Sequence, residues 1–125
     1  MNTPKNLKYA PSHEWIKIEG NEAIIGITDY AQSQLGDIVF VDVDCEGETL
    51  AKEETFGSIE AVKTVADVTM PVGGEVLKVN PLVQDASDVI NKDPYGDGWL
   101  IRIKVTDPAE ANDLMDADAY QEILH

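Results

Sequence analysis

The chain has 125 residues, 43% of them hydrophobic and 26% charged, which fits one domain and leaves little room for a second. Asp and Glu number 24 against 9 Lys and Arg, a formal net charge of -15. Such a surface repels phosphate backbones and anionic lipid, so neither nucleic acid nor membrane is an expected partner. What remains is solubility, or steering toward protein partners with basic docking rims.

No apolar run approaches the length of a membrane span. Met1-Asn2-Thr3-Pro4-Lys5 lacks the apolar core of a signal peptide and the Arg-rich pattern of a transit peptide. The expectation is a cytoplasmic protein of bacterial type, although a mature mitochondrial form would look the same after cleavage. The single cysteine, Cys45, leaves no intramolecular disulfide, and the neighbouring Asp42 and Asp44 make it a poor thiolate. With His13 and His125 as the only histidines, a zinc site lacks ligands. A Cys–His pair stays open on sequence alone. No Gly-rich phosphate loop or nucleophile elbow occurs, so no catalytic residue and no metal are expected.

In chain order, His13 to Glu19 alternates as a strand, Gly20-Asn21 offers a two-residue turn, and Glu22 to Ile27 returns. Thr28 caps a helix from Asp29 to Leu35, which Gly36 ends. Ile38 to Val43 is a β-branched strand, and Gly47 to Leu50 turns into another. Phe56 to Val62 and Thr64 to Val72 are strand-like. Gly73-Gly74 supplies tight backbone geometry before Glu75 to Val79. A helical turn is expected from Asp85 to Ile90, then a loop by composition from Asn91 to Gly98, then a strand from Trp99 to Val105. Asp107 caps a helix with Pro108 first and Glu110 placed for a capping box, and Ala119 to Leu124 forms a second. Short strands with small peripheral helices indicate a mainly β sandwich or flattened barrel.

Two segments echo each other. Gly36-Asp37-Ile38-Val39-Phe40-Val41 and Gly74-Glu75-Val76-Leu77-Lys78-Val79 share the order Gly, acid, β-branched, apolar, any, Val. Duplication and chance both explain this much. The two copies flank the segment Glu60-Ala61-Val62-Lys63-Thr64-Val65-Ala66-Asp67.

A lysine between two strands is ordinarily a solvated charge. Here Phe56-Gly57-Ser58-Ile59-Glu60-Ala61-Val62-Lys63 and Met70-Pro71-Val72-Gly73-Gly74-Glu75-Val76 resemble the lipoyl-acceptor hairpin of glycine cleavage H proteins. His13-Glu14-Trp15, Gly26 to Gln32, Leu35 to Val41, Asn91 to Trp99 and Leu114 to Tyr120 resemble the same family, in its order. Gly73 stands where that family often has Ser. Biotin carriers set their lysine between methionines, whereas Val62 and Thr64 flank Lys63. Lipoyl domains of 2-oxoacid dehydrogenases usually place an acid directly before the lysine.

The resemblance implies a single lipoyl-carrier domain of the barrel-sandwich type over residues 1–125. Its hairpin core would span about 22–105 and its C-terminal helices about 107–124. It implies lipoate in amide linkage to Lys63 by a lipoyl ligase or transferase, with Glu60, Val62 and Thr64 as the cofactor-binding surroundings and Glu60 read by that enzyme or by a partner. It also implies service to a pyridoxal phosphate-dependent glycine decarboxylase, a folate-dependent aminomethyltransferase and dihydrolipoyl dehydrogenase, with no catalysis by the chain itself. An H-like protein that relays lipoyl groups to other enzymes is the alternative. Ser12, Glu14 and Asp67 are the candidates for a cleft that holds the loaded arm, because a nearby carboxylate keeps an amine protonated. The plain alternative is that Ser12 caps a turn and both acids are solvated. Trp15 and Trp99 are core or cleft wall. Val62-Lys63-Thr64 has no Gly or Asn for a primed turn, so the turn itself is implied by the resemblance and not by residue type.

Overall fold

The structure, a computed structural model, describes residues 2–124. Nine short strands form two antiparallel sheets, and among the described residues no sheet closes into a barrel. The larger sheet contains β1 (Lys8–Tyr9), β2 (Glu14–Glu19), β3 (Glu22–Ile27), β9 (Ile101–Val105), β8 (Gly74–Val79) and β5 (Thr49–Leu50), in that order. The smaller holds β4 (Ile38–Asp42), β6 (Thr55–Ala61) and β7 (Val65–Thr69), with β6 central. Strands 2 and 3 pair in register from Glu14↔Ile27 to Glu19↔Glu22, as the Gly20-Asn21 turn requires. The sheet reaches back past residue 22, since β1 and β2 belong to it.

Period-2 alternation sends Ile25, Ile101, Ile103 and Val76 of one sheet toward Val41, Ile59 and Val68 of the other, and these residues form the main core. Trp15 points to the opposite face, where it joins Leu7, Tyr9, Ala117 and Tyr120 in a second cluster. Tyr9 and Tyr120 stack with centroids 4.7 Å apart. Paired backbone bonds between Tyr9 and Met115 tie the C-terminal segment to β1. That strand was unforeseen because two residues carry no periodicity.

Helix α1 (Asp29–Leu35) runs from its Thr28 cap to Gly36 as expected. The expected turn from Asp85 to Ile90 instead straddles a gap between α2 (Pro81–Asp85) and α3 (Val89–Lys92). Asn80 caps α2 through Leu82, and Pro81 fits the first helical position. Asn91 and Lys92 are therefore helical, not loop. Asp107 does cap the 3-10 helix Pro108–Asp113, but Glu110 makes no capping box: its Oε1 accepts from the Gly73 N–H at 2.8 Å. The last helix, α4 (Ala117–Glu122), starts two residues early because Asp116 caps it. Among the described residues no helix is long and apolar enough to cross a membrane.

Gly26 lies opposite Trp15 in the β2–β3 ladder. A Cβ there would stand 2.7 Å from three indole atoms, and the indole is anchored by its Nε1–H on the Pro94 carbonyl at 3.0 Å. Gly26→Ala should therefore cost about 1–3 kcal/mol, the usual range for overpacking. A denaturant titration checks it, with a lower midpoint and an unchanged slope expected.

Candidate functional site

Lys63 sits on the turn between β6 and β7, with Glu60↔Val65 the last ladder pair before it. The Ala61 N–H donates to the Thr64 carbonyl at 2.8 Å, which closes the hairpin. None of Val62, Lys63 or Thr64 has positive φ. The tip is instead fixed from outside, by the Val62 N–H donating to the Asp37 carbonyl at 3.0 Å. This long-range bond replaces the turn residue that the sequence lacks.

Val62, Lys63, Thr64 and Glu60 are all exposed, and among the described residues Lys63 takes part in none of the ion pairs. Its stem runs over the end of α1. A Cβ at Gly36 would lie 3.4 Å from Lys63 Cε and 3.8 Å from Nζ, and Gly36 also holds φ +79°. Glycine serves there as helix terminator because of its positive φ, while the lysine stem lies at ordinary van der Waals distance.

The wall of α1 under that stem continues into a cleft of about 310 Å³ between the helix and β7. Ile27, Ala31, Leu35, Ile59, Ala66 and Val68 make its apolar walls. Ser12, Glu14 and Asp67 line the same cleft, with Thr64 on the Lys63 side. The structure thus brings the three cleft candidates together in one cleft, Ser12 and Glu14 from before the hairpin and Asp67 from its second strand. Glu60 and Val62 are not in the cleft, and their side chains face solvent.

Glu14 is 1% exposed. Ser12 Oγ donates to its Oε1, and the Thr69 N–H donates to Oε2 at 3.2 Å. Burial raises its pKa, and the bonds from Ser12 and Thr69 offset part of that rise. Ser12 is therefore a partner of the buried acid and not a turn cap. Asp67 remains exposed at the rim.

His13 and Tyr30, which sequence reasoning passed over, complete the cleft, and Tyr120 and Asn91 support it from behind. His13, at φ +75°, lines the cleft and contacts the ring of Tyr30 at a centroid distance of 4.9 Å. Its Nδ1 lies 2.7 Å from the Tyr120 hydroxyl, which is also 2.7 Å from Thr28 Oγ1. Burial lowers the His13 pKa and pushes Tyr120 up to about 12, so a neutral imidazole and a protonated phenol share this bond, its direction set by the histidine tautomer. Thr28 in turn caps α1 by accepting from the Ala31 N–H at 3.1 Å. Asn91 holds the far end of that helix, donating to the Gly36 carbonyl at 2.8 Å and to Gln32 Oε1 at 3.0 Å. Its Oδ1 accepts from the Ile38 N–H at 3.0 Å. His13 stood in a motif block as a neighbour of Glu14, but a bond spanning 107 residues leaves no local signal.

Cys45 is in the main core, and burial, with Glu48 and Asp44 nearby, pushes its thiol up to about 11. His13 is engaged with Tyr120, and His125 lies outside the described residues. Trp15 is core, while Trp99 packs half-buried beside the second cluster.

A family model described as Glycine cleavage H-protein matches residues 7–125. The chain belongs to that family. It is 54% identical over 125 residues to the glycine cleavage system H protein of Bacteroides thetaiotaomicron, covering 100% of this chain and 99% of the relative. To the glycine cleavage system H protein of Chlorobium limicola it is 52% identical over 126 residues, covering 99% and 98%. A crystal structure of a glycine cleavage system H protein from Mycobacterium marinum matches with a TM-score of 0.87 at 36% identity, covering 97% of this chain and 99% of that one. The barrel-sandwich expectation agrees with that neighbour and with the two facing sheets.

The buried acid of this family member should be visible in stability. Glu14 has a folded pKa above its unfolded value, so the folded state binds its proton more tightly, and stability falls as pH rises between the two values. Glu14→Gln keeps partners for both Ser12 and Thr69 and removes the buried charge. Its Tm should exceed wild type at pH 7, and the two should converge below about pH 4.5, where the acid is protonated in both states. Thermal melts across that range check it.

Proposed function

We propose that this chain is the lipoyl carrier of a glycine cleavage system, with lipoate amide-linked to Lys63 Nζ. The observation that carries the reading is an exposed lysine, outside the ion pairs among the described residues, on a fixed hairpin tip beside an apolar cleft that Glu14 and Asp67 also line. Once attached, lipoate would supply a disulfide–dithiol pair able to take up and give up an aminomethyl group. The residues present suit such a group: a long apolar stem for the walls and a polar end for Ser12, Glu14 and Asp67.

The chain's own residues have three tasks. The Val62–Asp37 bond fixes where the amine is presented to a lipoyl ligase or transferase. The walls Ile27, Ala31, Leu35 and Val68 exclude water from a docked arm. About four methylenes at ~0.8 kcal/mol each would gain roughly 3 kcal/mol there. Ordering their rotors takes back a comparable share, so docking stays reversible. Glu14 and Asp67 keep the proton on a docked amine, which withholds the nitrogen lone pair from expelling the sulfur. The amine cation in turn compensates the buried Glu14 charge.

The partners in this reading are glycine decarboxylase, aminomethyltransferase and dihydrolipoyl dehydrogenase, and the chain itself catalyses no step. The names borne by its bacterial relatives favour glycine breakdown over a lipoyl relay to other enzymes, and the cytoplasmic setting is part of the same proposal.

Incubation with lipoate, ATP and a lipoyl ligase, followed by peptide mass spectrometry, should find one lipoyl amide on Lys63 and none on Lys63→Arg. Modification elsewhere would refute the reading. In the loaded protein, Glu14→Gln and Asp67→Asn should each shorten the lifetime of the aminomethyl adduct by roughly tenfold, about 1.4 kcal/mol. Unchanged decay, followed by ammonia release, would remove both acids from the role.

A further inference from the structure

The two echoed segments fold alike. Gly36 to Val41 leads into β4 and Gly74 to Val79 is β8, one in each sheet. Each carries a β-bulge at the same place. In β4 the pairing passes from Ile38↔Ala61 to Phe40↔Glu60, leaving Val39 as the extra residue. In β8 it passes from Val76↔Ile103 to Lys78↔Arg102, leaving Leu77. The equivalent surface positions are filled differently. The β8 copy presents Lys78 beside Arg102, and the β4 copy presents Phe40 beside Glu60.

The same register places Phe40, Glu60 and Val65 in one row across the outer face of the smaller sheet. Val39 and Phe40 are each 52% exposed, Val65 59% and Val62 76%. A bulge next to a functional position turns side chains that regular pleating would alternate. Here it turns two adjacent apolar groups outward on a chain of net charge -15. Phe40 also borders a depression that holds Asp42 and Asp44. A ledge of exposed apolar side chains, with acids beside it, marks a protein contact.

An enzyme that acylates Lys63 must bring its reacting atoms to the lysine itself, and so must rest on the backbone around the tip. We propose that the Val39, Phe40, Val62 and Val65 ledge is the surface on which the Lys63-acylating enzyme docks. Its complement is an apolar socket for Phe40, edged by Lys or Arg side chains facing Glu60, Asp42 and Asp44. The proposal rests on Lys63 as the acceptor. The ledge supplies affinity through its aromatic anchor, and the acids supply register and encounter rate.

The test is steady-state lipoyl transfer from lipoyl-adenylate by a lipoyl ligase, with the unmodified full-length chain as the varied substrate. Phe40→Lys, which copies the residue of the β8 segment, and Phe40→Ser should each raise KM at least tenfold with kcat within twofold. Leu77→Ser, at the equivalent bulge of the other sheet, should leave both constants unchanged. Asp42→Asn with Asp44→Asn should flatten the dependence of KM on ionic strength. Thermal melts of the Phe40 variants should match wild type, since the side chain leaves no cavity. Label persisting on Lys63→Arg would overturn the acceptor assignment and the ledge with it. Label confined to Lys63, with KM for both Phe40 variants within twofold of wild type, would overturn the ledge alone.

Discussion

The side-chain amide of Asn91 stands between the last turn of α1 and the first residue of β4, donating to one and accepting from the other. Both elements border the Lys63 hairpin, and neither is fixed by its own sequence. Helix α1 has seven residues, too few to persist without tertiary support, and β4 is an edge strand. Once Asn91 sets the distance between them, the Asp37 carbonyl lies where the Val62 N–H can reach it. The hairpin tip then holds without a left-handed residue. The lysine, the cleft wall and the bulge of β4 share this one support.

At the other end of α1 the Thr28 cap does more than satisfy an orphan amide. Its hydroxyl is bonded to Tyr120, and Tyr120 to His13, so the N-terminus of the helix is tied to the cleft floor and the C-terminal helix together. The strained φ of His13 is held by this network. The Thr28 N–H also donates to the His13 carbonyl at 3.0 Å. A buried carboxylate one residue further on is thus placed by a backbone bonded on several sides. That is how a group with a raised pKa can keep a fixed position.

Local patterns in the chain were legible wherever the determinant was local. The Gly20-Asn21 hairpin, the Thr28 and Gly36 ends of α1 and the Asp107 cap follow from residue types within four positions of one another. The Lys63 turn was not legible this way, because the bond that makes it comes from Asp37. The split between α2 and α3 was missed because Asn80-Pro81 is a stronger helix start than anything near Asp85. Glu110 had the spacing of a capping box, yet the Gly73 N–H claimed its carboxylate. For the site, the chemistry of keeping an amine protonated pointed to Ser12, Glu14 and Asp67. The structure added that Ser12 serves Glu14, and that His13 and Tyr30 complete the wall. The internal echo was visible in the letters, but only the shared bulge register shows that the two segments are the same piece of structure.

The stacking of Tyr9 on Tyr120 has a bearing on how the chain is made. Among the described residues, strand β1 gains its outer partner from Met115, and His13 gains its hydrogen-bonded phenol from α4. A polypeptide emerging from the ribosome N-terminus first would therefore leave His13 without its phenol until α4 has been made. Contacts of such long sequence separation form late and slowly. Synthesis of α4 would then be the event that fixes His13 at the cleft, whose apolar walls all lie earlier in the chain.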